Sequence, residues 1–157
     1  MDEPVEFTDI YVDEAMVDRA TEVLRSGRYV KGPMVERFEA AFAEFCGTDH
    51  AVGVASGTDA IYLALRAAGV DPGEDVFVPA HTFFATVSPV LELGANPVFV
   101  DNDPDTYTMD PRDLAEKVAA ADDPAAVVPV HIYGHPADMD AIGDVAEEHD
   151  MAMIEDA

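Results

Sequence analysis

A three-layer α/β/α fold, with helices on both faces of a mainly parallel sheet, is predicted for this chain by two observations. From residue 50 onward, apolar strands alternate with amphipathic helices. In addition, runs such as Val98-Phe99-Val100 and Val127-Val128-Pro129-Val130 have no polar face to turn toward water. Such strands must be covered on both sides, which is the setting of parallel sheets. With 157 residues and 49% hydrophobic content, the chain has the apolar material for a core of ordinary domain size.

The elements follow from helical spacing and capping residues. A first helix is expected over Glu14–Ser26, where Ala15, Val17, Ala20, Val23 and Leu24 recur at helical intervals between an Asp13 N-cap and a Gly27 stop. After the loop Arg28-Tyr29-Val30-Lys31-Gly32, Pro33 opens a second amphipathic helix that runs to about Phe45 and stops at Gly47. These two make up an N-terminal helical segment, residues 1–49. In residues 50–157, strands are expected near Ala51–Ala55, Asp75–Pro79, Pro97–Asp101, Ala126–Val130 and Met151–Glu155. Helices are expected near Thr58–Ala68, Thr82–Leu93, Pro111–Ala119 and Met139–His149. Asp110-Pro111-Arg112-Asp113 combines an N-cap, a first-turn proline and a first-turn acid. The sequence ends at Ile154-Glu155-Asp156-Ala157, directly after an apolar strand that still needs a covering helix, so it reads as the incomplete, truncated N-terminal part of a larger domain.

Composition narrows the function. The 33 acidic and 8 basic residues give a net charge of −25, which repels nucleic acid and anionic membrane. The acids are spread along the chain and read as a halophile-like solvation coat over an ordinary core. An acidic start at Met1-Asp2-Glu3 and the lack of a long apolar run lead to the expectation of a soluble, cytoplasmic protein. The single Cys46 is expected to be a small buried apolar residue. A calcium site on Asp101, Asp103 and Asp105 lacks the glycine and distal glutamate of an EF-hand loop, and no metal site is expected.

In an open parallel sheet, ligands sit beyond the C-terminal ends of the strands. Ser56-Gly57-Thr58 at a helix start offers N–H groups, hydroxyls and close backbone approach to an anion, although simple capping, favoured for serine and threonine at any helix start, is the plainer reading of these residues alone. His81-Thr82-Phe83-Phe84 follows the next strand. One phenylalanine there can face a ligand cleft as a stacking surface, or both can enter the core. His131 either lines the cleft or bonds a neighbouring loop. Asp156, at the end of an apolar strand, implies a positive or donor partner, for which a protonated pyridine nitrogen is one candidate.

Taken together, Gly32-Pro33, Phe38-Glu39, Ala55-Ser56-Gly57-Thr58-Asp59-Ala60, Pro79-Ala80-His81-Thr82-Phe83-Phe84-Ala85-Thr86, Gly94-Ala95-Asn96-Pro97, Pro129-Val130-His131-Ile132-Tyr133-Gly134 and Ile154-Glu155-Asp156-Ala157 resemble the DegT/DnrJ/EryC1/StrS sugar aminotransferases in order and spacing. The resemblance implies the large domain of a fold-type-I enzyme dependent on pyridoxal 5′-phosphate (PLP), working as a homodimer with sites at the subunit boundary. Gly57 and Thr58 would hold the PLP phosphate, Phe83 would stack on its ring and Asp156 would bind its nitrogen. The substrates implied are a nucleotide-diphosphate keto-sugar and an amino-acid donor such as glutamate. The family's anchoring lysine falls after Asp156, so neither Lys31 nor Lys117 matches it and no catalytic residue is expected up to Ala157. A PLP-dependent sugar dehydratase of the same superfamily, or a non-catalytic binding or dimerisation chain, are the alternatives.

Overall fold

The computed structural model describes residues 10–157, in two compact units, one ending at Gly53 and the other spanning Val54–Ala157. In the first unit, α1 (Glu14–Ser26) starts where the Asp13 carboxylate accepts the Met16 N–H at 2.8 Å, and ends at Gly27 with φ 68°. Helix α2 (Pro33–Cys46) has its proline in the first turn and Gly47 at φ 68° as its left-handed stop. Cys46, expected in a core, is exposed, because it lies in the last turn of α2 on an open helix end. Phe38 and Phe42, one turn apart on the same helix, stack at a centroid distance of 5.4 Å.

The expected strand at Ala51–Ala55 does not form; these residues are coil. A strand exists only where a neighbour completes its ladder. Here the Gly53 N–H is taken instead by the Glu39 carboxylate at 2.7 Å. The approach is close enough that a Cβ on Gly53 would lie 3.0 Å from a Val35 methyl, which would have to shift to admit a side chain.

In the second unit, α3 (Gly57–Ala68) leads to β1 (Asp75–Pro79), followed by α4 (Phe84–Leu93), β2 (Asn96–Val100), α5 (Pro111–Ala119), β3 (Pro124–Val127), α6 (Met139–Glu148) and β4 (Ala152–Met153). The strands form one sheet in the order β2-β1-β3-β4, and every pair is parallel. The last two strands are shorter than the sequence suggests, and α4 begins at Phe84, not Thr82. An isolated bridge between Val130 and Asp156 continues the β3–β4 pairing beyond the regular ladder.

Alternation along β1 divides the core. Val76 and Val78 face α3 and α4, with Ile61, Leu65, Val87 and Val90, whereas Phe77 faces α5 and α6, with Leu114, Val118 and Ile142. The sheet is therefore covered on both sides. No described helix is long and apolar enough to cross a membrane.

Helix α5 is fastened to the end of β2 by Asp113, whose carboxylate accepts the Asp101 N–H at 2.6 Å and the Lys117 ammonium at 2.7 Å. Lys117 is thus half-buried and paired. Partial burial pushes the Asp113 carboxyl up, but the Lys117 hydrogen bond, the Asp101 amide and the lysine charge outweigh it and hold the group below the ordinary carboxylate value. A depressed folded-state value stabilises the fold above the unfolded value of about 4, and this is lost as pH falls through the folded value. Acid unfolding of the Lys117→Met chain is accordingly expected to begin at higher pH than in the parent, as followed by circular dichroism between pH 5 and 2. Coincident acid midpoints would contradict this assignment.

Candidate functional site

Strand β1 is followed by α4 on one face of the sheet, and its neighbour β3 is followed by α6 on the other. Loops that leave adjacent strands in opposite directions open a crevice between them, and this switch point is where open parallel sheets bind ligands. The β1 loop contributes His81, Thr82 and Phe83; the β3 loop contributes His131 and Tyr133; and Asp156 follows β4 alongside.

Asp156 is anchored through its backbone on both sides: its N–H donates to Pro129 and its carbonyl accepts the His131 N–H, each at 3.0 Å. Its half-buried carboxylate accepts the hydroxyl proton of Thr86 at 2.6 Å, and Thr86 in turn pairs with the Thr82 hydroxyl at 2.9 Å. The Thr86 N–H also donates to the Phe83 carbonyl at 3.0 Å, so one buried residue ties the Phe83 backbone to the Asp156 carboxylate. The sequence reading missed Thr86 and Thr82. Their spacing of four residues at a helix start, directly after a strand, was the available signal. Thr86→Val is expected to cost about 2 kcal/mol in urea unfolding, because a hydrogen bond to a charged group is lost, and Thr86→Ser is expected to recover most of it.

Phe83 and Phe84 are 79% and 66% exposed, so neither ring enters the core, contrary to both sequence readings of the pair in which at least one was packed inside. At the N-cap of α4, Phe83 has extended backbone at φ −72°, ψ 143°, outside the helix that begins at Phe84. Helix α3 feeds β1 through a short loop and runs antiparallel to it, so its N-terminus lies at the same sheet edge as that of α4. There the Ser56 hydroxyl accepts the Asp59 N–H at 3.1 Å. Ser56 is thus a cap, and the Gly57 and Thr58 N–H groups, which have no intrahelical acceptor, remain available. A Cβ on Gly57 would meet no atom within 4 Å, so the space above it is open. No hydrogen bond links Thr58 to Phe83 or Asp156; the structure joins the latter two and leaves the helix end of α3 as a separate part of the edge.

His131 is structural. Its Nδ1 accepts the Ala137 N–H at 3.1 Å and its Nε2 lies 3.1 Å from Glu155, so the ring is engaged on both sides. Asp103, considered for calcium, turns its carboxylate to the Asp105 and Thr106 N–H groups at 2.8 and 3.0 Å, and these amides hold its carboxyl below the ordinary value. That carboxylate closes a turn.

An open parallel sheet with an exposed ring, a hydroxyl-held carboxylate and a free helix N-terminus at its C-terminal edge defines a ligand-binding α/β domain. Residues 11–157 match the DegT/DnrJ/EryC1/StrS aminotransferase family, and the chain belongs to it. It is 53% identical over 135 residues to the dTDP-3-amino-3,4,6-trideoxy-α-D-glucose transaminase of Streptomyces venezuelae, a match covering 86% of this chain and 35% of that protein. Among solved structures, S. venezuelae DesV superposes with a TM-score of 0.84 at 49% identity, covering 91% of this chain and 38% of DesV. NtdA from Bacillus subtilis, with bound cofactor PMP, superposes with a TM-score of 0.83 at 37% identity, covering 90% of this chain and 32% of NtdA. The chain thus spans about a third of the length of these relatives.

Proposed function

We propose that this chain forms the cofactor-binding N-terminal part of a homodimeric PLP-dependent aminotransferase. The enzyme converts a nucleotide-linked keto-sugar to an amino-sugar, with an amino acid such as glutamate as donor. The observation that carries the reading is the double engagement of Thr86, which fixes a stacking ring and a carboxylate together at the switch point of the sheet. Family membership and the cofactor bound by NtdA support the same assignment.

The residues fit the group. The Gly57 and Thr58 N–H groups and the positive end of α3 suit a phosphate, and the open space above Gly57 admits it. Phe83 offers an exposed aromatic face. Thr86 occupies Oδ2 of Asp156 and leaves Oδ1 for a ring N–H, so the carboxylate can hold a proton at the ring nitrogen. When bound, PLP supplies an electron-poor ring that accepts the electrons of a breaking Cα–H bond, and a carboxylate at its nitrogen favours that acceptance.

The two lysines of this chain are poorly placed for covalent attachment: Lys117 is paired with Asp113 on α5, and Lys31 lies in the loop before α2, within 3.9 Å of Glu39. The chain is therefore expected to bind PLP weakly and without covalent attachment, and not to turn over by itself. Borohydride treatment with PLP followed by peptide mass spectrometry is expected to show only scattered labelling of exposed amines. Stoichiometric labelling of one lysine together with amino transfer from glutamate would overturn the reading.

A further inference from the structure

Among the described residues, four non-glycine residues have positive φ, and two of them, Tyr107 at 63° and Tyr133 at 55°, flank the same side chain, His81. Their ring centroids lie 6.3 and 5.9 Å from that of His81. The left-handed region is costly for a bulky residue and persists only where surrounding contacts enforce it. Packing does not enforce it here, because Tyr107 and Tyr133 are 56% and 67% exposed. Hydrogen bonds do. The Tyr133 hydroxyl lies 3.0 Å from His81 Nε2 and joins the β3 loop to the β1 loop across the mouth of the crevice. On the other side, Asn102 Oδ1 accepts the His81 N–H at 2.9 Å while Asn102 Nδ2 donates to the Tyr107 carbonyl at 2.6 Å.

We propose that His81, Asn102 and Tyr133 form a clamp that fixes the backbone carrying Phe83 and sets the width of the crevice between β1 and β3. His81 stands two residues before Phe83, and Thr86 holds the Phe83 carbonyl from the other side. Phe83 itself has little packing, so these two anchors are what give its exposed ring a defined position. None of the three clamp residues needs to touch a ligand; they are positioning residues. The inference rests on the assignment of Phe83 as a stacking residue for PLP only in its consequence for binding. Its consequence for the loop is independent of that assignment.

The test compares Tyr133→Phe and His81→Leu with Phe83→Leu and with Tyr29→Phe, a control in which a tyrosine hydroxyl bonded to the Leu24 carbonyl at 2.9 Å is removed elsewhere. Two quantities are read on each chain: amide hydrogen exchange across residues 80–86, and the dissociation constant for PLP by absorbance titration. Both clamp variants are expected to speed exchange in that segment and to weaken PLP binding about three- to tenfold, the value of one hydrogen bond. Their combination is expected to do no more than either alone, since both remove the same bond. Exchange across 80–86 unchanged in Tyr133→Phe and His81→Leu would overturn the clamp. PLP affinity unchanged in Phe83→Leu would instead overturn the stacking assignment, and the exchange result would still decide the clamp.

Discussion

Replacing Phe77 by alanine is expected to lower the stability of the Val54–Ala157 unit by about 3–5 kcal/mol. Phe77 has no exposed surface, sits in a strand flanked on both sides by others, and supports the face of the sheet that carries α5 and α6. Its removal leaves a cavity that Leu114, Val118 and Ile142 can only partly fill. Since domains of this size have about 5–15 kcal/mol in total, much of the margin would go. The melting temperature should drop by roughly 12 °C or more. Phe99→Ala is the matched control, because Phe99 lies on the edge strand β2 with 49% of its surface exposed. Equal losses for the two variants, measured by thermal and urea unfolding, would mean that the division of the core read from β1 is wrong.

A comparably large effect is expected from salt. The net charge of −25 crowds like charges on a small folded surface, and the described residues hold only five ion pairs to offset it. Raising ionic strength from 0.1 to 1 M shortens the reach of each charge from about 10 to about 3 Å, which relieves repulsion more in the compact state than in the expanded one. Each kcal/mol so gained raises the melting temperature of a domain of this size by about 4–8 °C. Melting in potassium chloride from 0.05 to 3 M should show a steep rise that flattens near 1 M, since screening saturates there. A flat curve would remove the halophile reading of the acidic coat, and a linear rise without saturation would assign the effect to salting-out instead.

The helices were legible in the sequence because their signals are local. Asp13, Ser56, Asp110 and Asp138 each cap through a hydrogen bond to an amide two or three residues on, and Gly27, Gly47, Gly69 and Gly94 each end a helix by adopting positive φ. Both are properties of a few consecutive residues. Of the two continuous apolar runs, Val127-Val128-Pro129-Val130 is buried throughout, as read, whereas Val98-Phe99-Val100 lies on the edge strand β2, where Phe99 is half exposed, because an edge strand has no neighbour on one side. Ala51–Ala55 has the same local character and is nevertheless coil, because a strand is made by its neighbour and the Gly53 amide found the Glu39 side chain instead.

For the candidate site, the sequence by itself determined the family and the residues delivered to the C-terminal edge of the sheet, and it left Ser56-Gly57-Thr58 open between an anion site and simple capping. Only the tertiary structure decided which of these residues meet. Thr86 and Asp156 are 70 residues apart and His81 and Tyr133 are 52 apart, and both contacts depend on the parallel registers that bring β3 beside β1 and β4 beside β3. The tertiary structure also decided that Phe83 and Phe84 both face outward and that Cys46 is exposed. Burial depends on which elements pack against a surface, and that is settled by long-range pairing, which no stretch of consecutive residues encodes alone.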